Sequence, residues 1–259
     1  MTVLIKKDIA IEKLEGEFET LLENTFAAEP QWLKEKRKTA FEHFFRLGIP
    51  GKKDEEYKYT DVKKIFSKNF SAIHNEVHDL KLDIEKLQAD AASVKLVFVN
   101  GWLYKDSTLT AELPEGTIVG SMANDGLFLH ADILKKNIGT ITAENDPFAL
   151  LNSALWFDGA FIFIPEGRRL EKNIEIIHIS TGQKELLVNP RHLIIAGKNS
   201  EAYITEHFIS LDAKQIIVNA SAEIVTGENA HVSFYKIQSG NKNVFQLHNT
   251  FAKQDRDSV

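Results

Sequence analysis

Hydrophobic positions along the chain follow one period up to about Gly139 and another from Gly159 onward. In the first region they recur every three to four residues. Ile11, Leu14, Phe18 and Leu21, separated by Glu and Lys, predict an amphipathic helix. A second helix starts at Pro30 and runs through Leu33, Arg37, Phe41, Phe44 and Phe45. It stops at Gly48, which can take a left-handed C-terminal conformation, just ahead of Pro50. The charged run from Lys52 to Phe66 reads as a solvated connection closed by a short helix, with Thr60 as N-cap and Val62, Ile65 and Phe66 turned to the core. Asp79–Ser93 is a further helical candidate. In Lys95–Tyr104 two apolar runs flank Asn100-Gly101, a hairpin signal because both turn positions need positive φ. Leu113–Gly116 reads as a turn and Leu127–Lys136 as a helix.

Asn145–Gly167 carries the change of period. Pro147 suits a first helical turn, and Phe148, Leu151 and Leu155 keep helical spacing. After Asp158-Gly159 comes a short apolar run, Ala160–Ile164, stopped by Pro165-Glu166-Gly167, as in a buried strand. Strand-like runs then follow in series: IEIIHI, RHLIIAG, EAYITEHFIS, KQIIVNASAEIV, HVSFYKIQ and NVFQLHNTFA. Gly167, Gly182, Gly197, Asp212 and Gly227 punctuate them at equal intervals, the rhythm a stacked β-solenoid requires. A β-sandwich with evenly spaced turns is the alternative. Apolar residues of both parities, such as consecutive Leu193, Ile194 and Ile195, favour the solenoid, because one-sided sandwich strands alternate more cleanly.

Composition narrows the chemistry. Hydrophobic residues at 43% and charged residues at 26% support a packed core, and a net charge of −6 provides no overall basic field for nucleic acid or an anionic membrane. With no cysteine, the chain has no disulfide, no thiol nucleophile and no thiolate of its own for zinc or an iron–sulfur cluster. Neither a signal peptide nor a membrane-length apolar run is visible.

Nine histidines invite a metal or acid–base reading. His178 and His192 fall in neighbouring strands, and His207 sits beside Glu206 with Glu201 nearby. Residues 206 and 207 point to opposite faces of a strand, however, and no HExxH-type spacing occurs. Structural or surface roles are the expectation for them. Phosphate-binding glycine loops and a GxSxG elbow are absent, and Trp32, Phe41, Phe44 and Phe45 lie at helical spacing suited to a core. The residues alone designate no catalytic residue and no metal site, and they leave cofactor-binding positions open.

WLKEKRKTAFEHFFRLGIPGKKDEEYKYTDV (residues 32–62), LVFVNGWL (96–103), NDPFALLNSALWFDGAFIFIPEG and NPRHLIIAGKNSEAYITEHFIS (189–210) resemble, in order, segments of the SufB/SufD family of iron–sulfur cluster assembly proteins. The lack of cysteine and the short N-terminal region resemble its SufD branch, with Tyr57 where the family often has Trp. The resemblance implies an α+β N-terminal domain, residues 1–145, mostly helical with a short hairpin. An all-β right-handed parallel β-helix would follow over 146–259 as its first coils. Asn152, Asp158, Gly159 and Gly167 would then be architectural. The family continues for further coils and a helical domain, so the chain is expected to be an N-terminal portion. The function implied is that of a non-enzymatic scaffold of the cytosolic SUF machinery. It would pair with a SufB-like paralogue and act with a SufC-like ATPase, whose docking region is expected in the missing later part of the family's chain, and the complex would handle the iron–sulfur cluster. Two alternatives stand beside this: a carbohydrate-active β-helix enzyme, and a β-solenoid interaction module with no cluster-related role.

Overall fold

A computed structural model describes residues 9–75, 80, 93–104 and 112–259. Of the helical candidate Asp79–Ser93, all but residues 80 and 93 lie outside this set. Helices α1 (Ile9–Glu23) and α2 (Gln31–Leu47) form where the apolar stripes predict them, and Gly48 ends α2 at φ 72°. The short helix α3 (Val62–Phe66) is capped by Asp61 rather than Thr60: the Asp61 carboxylate accepts from the Lys64 N–H at 3.2 Å. Strands β1 (Val94–Val99) and β2 (Trp102–Leu103) make the hairpin, with Asn100 and Gly101 at φ 48° and 83°. Next come β3 (Ile118–Ser121), a wide π-helical segment (Met122–Leu129) and α4 (Ala131–Asn137), so the expected single helix is split. Helix α5 (Pro147–Leu155) starts with Pro147 in its first turn and Asp146 capping the Ala149 N–H at 2.7 Å.

The β region is a solenoid of parallel strands: β4 (Ala160–Ile164), β5 (Ile174–Thr181), β6 (Glu185–Val188), β7 (Arg191–Ala196), β8 (Glu201–Leu211), β9 (Gln215–Thr226), β10 (His231–Ser239) and β11 (Val244–Gln254). They form two sheets, ordered β10-β8-β5-β1-β2 and β11-β9-β7-β4-β3, with β6 also beside β9. Both sheets thus take strands from the N-terminal region. In register, Arg191 lies beside Ser221 and Glu201 beside His231, so one coil advances the chain thirty residues. That is two of the intervals separating the turn residues.

Those turns are punctuated for two different reasons. Gly167, Gly182 and Asp212 take positive φ, where glycine and short polar residues are tolerated. Gly197 and Gly227 instead allow coils to touch: a Cβ on Gly197 would lie 2.6 Å from the Glu166 backbone N, and one on Gly227 2.8 Å from that of Lys198.

Both parities are apolar because both faces of most strands are covered. Between the sheets, Leu96, Ile162, Ile176, Ile194, Ile204 and Ile224 share one cluster. On the outer face of the β4–β7 sheet, Phe161 and Leu193 pack against Leu33, Met122, Leu134 and Trp156. Leu187 and Ile217 join the core made by α1, α2 and α5, which takes in Phe41 and Phe44. Trp32 is only partly buried, against the same layer as Trp156.

Candidate functional site

Arg191 and His192 are consecutive on β7, so their side chains leave the strand on opposite faces. Each is the centre of a buried polar cluster.

Arg191 faces the helical layer and is 1% exposed. Its Nη1 donates to Asn152 Oδ1 (3.0 Å) and Ser153 Oγ (2.9 Å), and its Nη2 to Thr142 Oγ1 (2.9 Å) and Glu223 Oε1 (2.6 Å). Glu223, on the next coil, also accepts from the Gly139 N–H at 2.9 Å. The Asn152 amide donates to the carbonyls of Pro190 (2.9 Å) and Asn219 (2.7 Å), tying α5 to two successive coils. At the start of β4, a Cβ on Gly159 would lie 1.8 Å from the Arg191 carbonyl oxygen, so only glycine lets the first coil close there. Neighbouring Asp158 accepts from the Ser121 hydroxyl (2.7 Å) and from the N–H groups of Ala123 (3.0 Å) and Gly159 (2.8 Å). Burial pushes its carboxyl up to about 6, against the pull of these hydrogen bonds.

His192 faces the lumen, where His178 of β5 and Glu206 of β8 meet it. His192 Nε2 lies 2.9 Å from Glu206 Oε1 and 3.1 Å from His178 Nε2, and His178 Nε2 lies 3.3 Å from Glu206 Oε1. Three donor atoms at such separations match one face of a two-histidine, one-carboxylate metal centre. The far side of the ring tells against that chemistry. The Ala160 N–H donates to His192 Nδ1 at 2.8 Å, so the neutral ring carries its proton on Nε2 and turns an N–H, not a lone pair, toward Glu206. Metal-bound imidazoles ordinarily donate from the ring nitrogen that is not on the metal. The cluster already holds a cation, since Lys236 Nζ on β10 lies 3.2 Å from Glu206 Oε2. Burial alone would raise the Glu206 carboxyl, but His192, His178 and Lys236 outweigh it and hold it well below the usual carboxylate range. Burial lowers His178 to about 4, leaving it neutral at pH 7. The His178 ring stacks between Phe98 and Phe208, at 5.4 and 4.7 Å between centroids, which fixes its plane.

His207 points away from the lumen, as its parity requires, and Glu201 pairs outside with Arg169 at 3.3 Å. The sequence carried one signal for the lumen cluster that spacing rules for metal motifs overlook. Residues 178, 192 and 206 are equally spaced at close to the half-coil interval of the turns, which is what lets three successive half-coils aim side chains at one point.

Residues 12–176 match the profile of the SufBD protein N-terminal region, and residues 178–259 that of the SufBD core domain of SUF system FeS cluster assembly. The chain belongs to the SufBD family. It is 27% identical over 217 residues to an iron-sulfur cluster assembly SufBD family protein of Synechocystis sp., covering 80% of this chain and 48% of that one. To the iron-sulfur cluster assembly protein SufD of Escherichia coli it is 26% identical over 199 residues, covering 76% and 44%. A SufBD family protein of Staphylococcus aureus is 24% identical over 230 residues, covering 85% and 49%. The chain therefore spans about half the length of the curated relatives it matches. Among the described residues, no helix is long and apolar enough to cross a membrane.

Proposed function

We propose that this chain serves as a non-enzymatic scaffold in SUF iron–sulfur cluster assembly, most like the SufD branch. It pairs with a SufB-like paralogue and acts with a SufC-like ATPase in the cytoplasm. The observation that carries the reading is the order of the two family regions along the chain, with the helical layer of the first held to the solenoid coils of the second by the Arg191–Glu223–Asn152 network. The buried polar groups support a scaffold role. Arg191, Glu223, Asn152 and Asp158 are engaged with one another and with the backbone. The lumen carboxylate of Glu206 is held by His192, His178 and Lys236. None forms an acid–base carboxylate pair, and the Ser121–Asp158 hydroxyl–carboxylate contact is buried away from solvent. Residues 1–145 are the N-terminal domain and 146–259 the first coils of the β-helix core. The cluster is cargo of the complex.

Co-expression of the complete protein with SufB- and SufC-like subunits, followed by affinity purification of the tagged chain, tests this directly. A stoichiometric complex is the expected result. A chain that elutes alone while the other two co-purify would overturn the pairing.

A further inference from the structure

A cleft of about 440 Å³ opens between α2, the loop after α4 and α5, with Arg191 at its base. Its size falls within the range of small-molecule sites, and it lies where the helical layer meets the solenoid, a common place for one. The apolar part is made by Trp32, Leu33, Leu150 and Trp156. Its polar groups have unequal spare capacity. Ser153 is consumed, accepting from Arg191 and donating to the Ala149 carbonyl at 2.8 Å. The Glu223 carboxylate behind Arg191 is consumed by Arg191 and Gly139. Beside Arg191 donor capacity remains unused, and Thr39 and His43 also line the cleft. Lys36 makes one hydrogen bond, to the Ile138 carbonyl at 3.1 Å, and meets no carboxylate within ion-pair distance among the described residues. The Thr142 oxygen accepts from Arg191, leaving its O–H free to donate. Arg191 Nε is buried without a partner, an omission native structures rarely tolerate. Acidic side chains, Glu35 and Glu144, lie at the exposed rim, and Glu35 accepts from Gln31.

We propose that this cleft binds a small amphipathic monocarboxylate. The apolar body lies against Trp32, Leu150 and Trp156, and the carboxylate takes the donors of Lys36, Thr142 and Arg191 Nε. The proposal is independent of the scaffold function, which stands or falls by co-purification.

Octanoate is the probe and octanamide its neutral counterpart, each titrated into the full chain by calorimetry and by tryptophan fluorescence, since two of the three tryptophans line the cleft. The expected result is saturable binding of octanoate at one site. Octanamide should bind about tenfold more weakly, and Lys36→Gln should lose a similar factor for octanoate, as removal of a charged hydrogen bond does. Lys36 is exposed, so that variant should keep the parent circular dichroism spectrum. No saturable octanoate binding, equal affinity for the two probes, or an unchanged affinity in Lys36→Gln would each overturn the proposal.

Discussion

The two polar clusters flanking β7 bury similar groups with different degrees of satisfaction. On the outer face, Arg191 and Glu223 meet at 2.6 Å, and Asn152, Ser153, Thr142 and Gly139 take up most of the remaining capacity, leaving Arg191 Nε unpartnered. In the lumen, Lys236 and Glu206 meet at 3.2 Å without hydrogen-bond alignment, and His248 Nε2 is buried without a partner. A buried charge pair stabilises a fold only when its geometry and surrounding hydrogen bonds offset the loss of water. By that standard the outer cluster is a structural joint holding α5 to two coils. The lumen cluster is tolerated, and apolar residues could replace it at little cost.

The largest effect should follow from opening the joint. Glu223→Ala leaves the Arg191 guanidinium buried without its counter-ion and should cost about 3–5 kcal/mol in urea unfolding. Arg191→Met with Glu223→Leu should recover only part of this, because Arg191 also holds Asn152, Ser153 and Thr142. The lumen should behave differently. Glu206→Ala should cost about 2–3 kcal/mol through loss of charged hydrogen bonds, whereas Glu206→Leu with Lys236→Met should return to within about 1 kcal/mol of the parent. Equal recovery by the two double variants would erase the distinction between the clusters.

A smaller, pH-dependent effect belongs to Asp158 beside the joint. Its folded-state value of about 6 lies above the unfolded 3.8, so the folded protein binds this proton more tightly. The stabilisation is complete below the unfolded value and is lost as pH rises through about 6, amounting to about 3 kcal/mol across the window. Asp158→Asn should remove that slope. Parallel stability–pH curves for parent and variant between those limits would refute it.

The strands were legible because solenoid turns repeat, and each run bounded by them became a strand. Glu185–Val188 escaped notice, being only four residues long and followed at once by Asn189-Pro190. The junction helix was legible from Pro147 and its apolar spacing, but the partners of Asn152 were not. They lie 38 and 67 residues away, brought near only by coil stacking. The lumen cluster was hidden for a related reason. His178 and His192 belong to facing sheets, so a rule about faces of one strand rightly excluded His207 beside Glu206 yet could not see across the lumen. The tautomer of His192 depends on one backbone N–H from β4, and no side-chain pattern encodes that.

The most direct test of the architectural reading is imidazole nitrogen NMR of His192, recorded before and after addition of zinc or ferrous ion. The account predicts a neutral ring protonated on Nε2 and unmoved by either metal. A ring protonated on Nδ1, or an Nε2 resonance that shifts on metal addition, would show that the lumen holds a metal centre and contradict it.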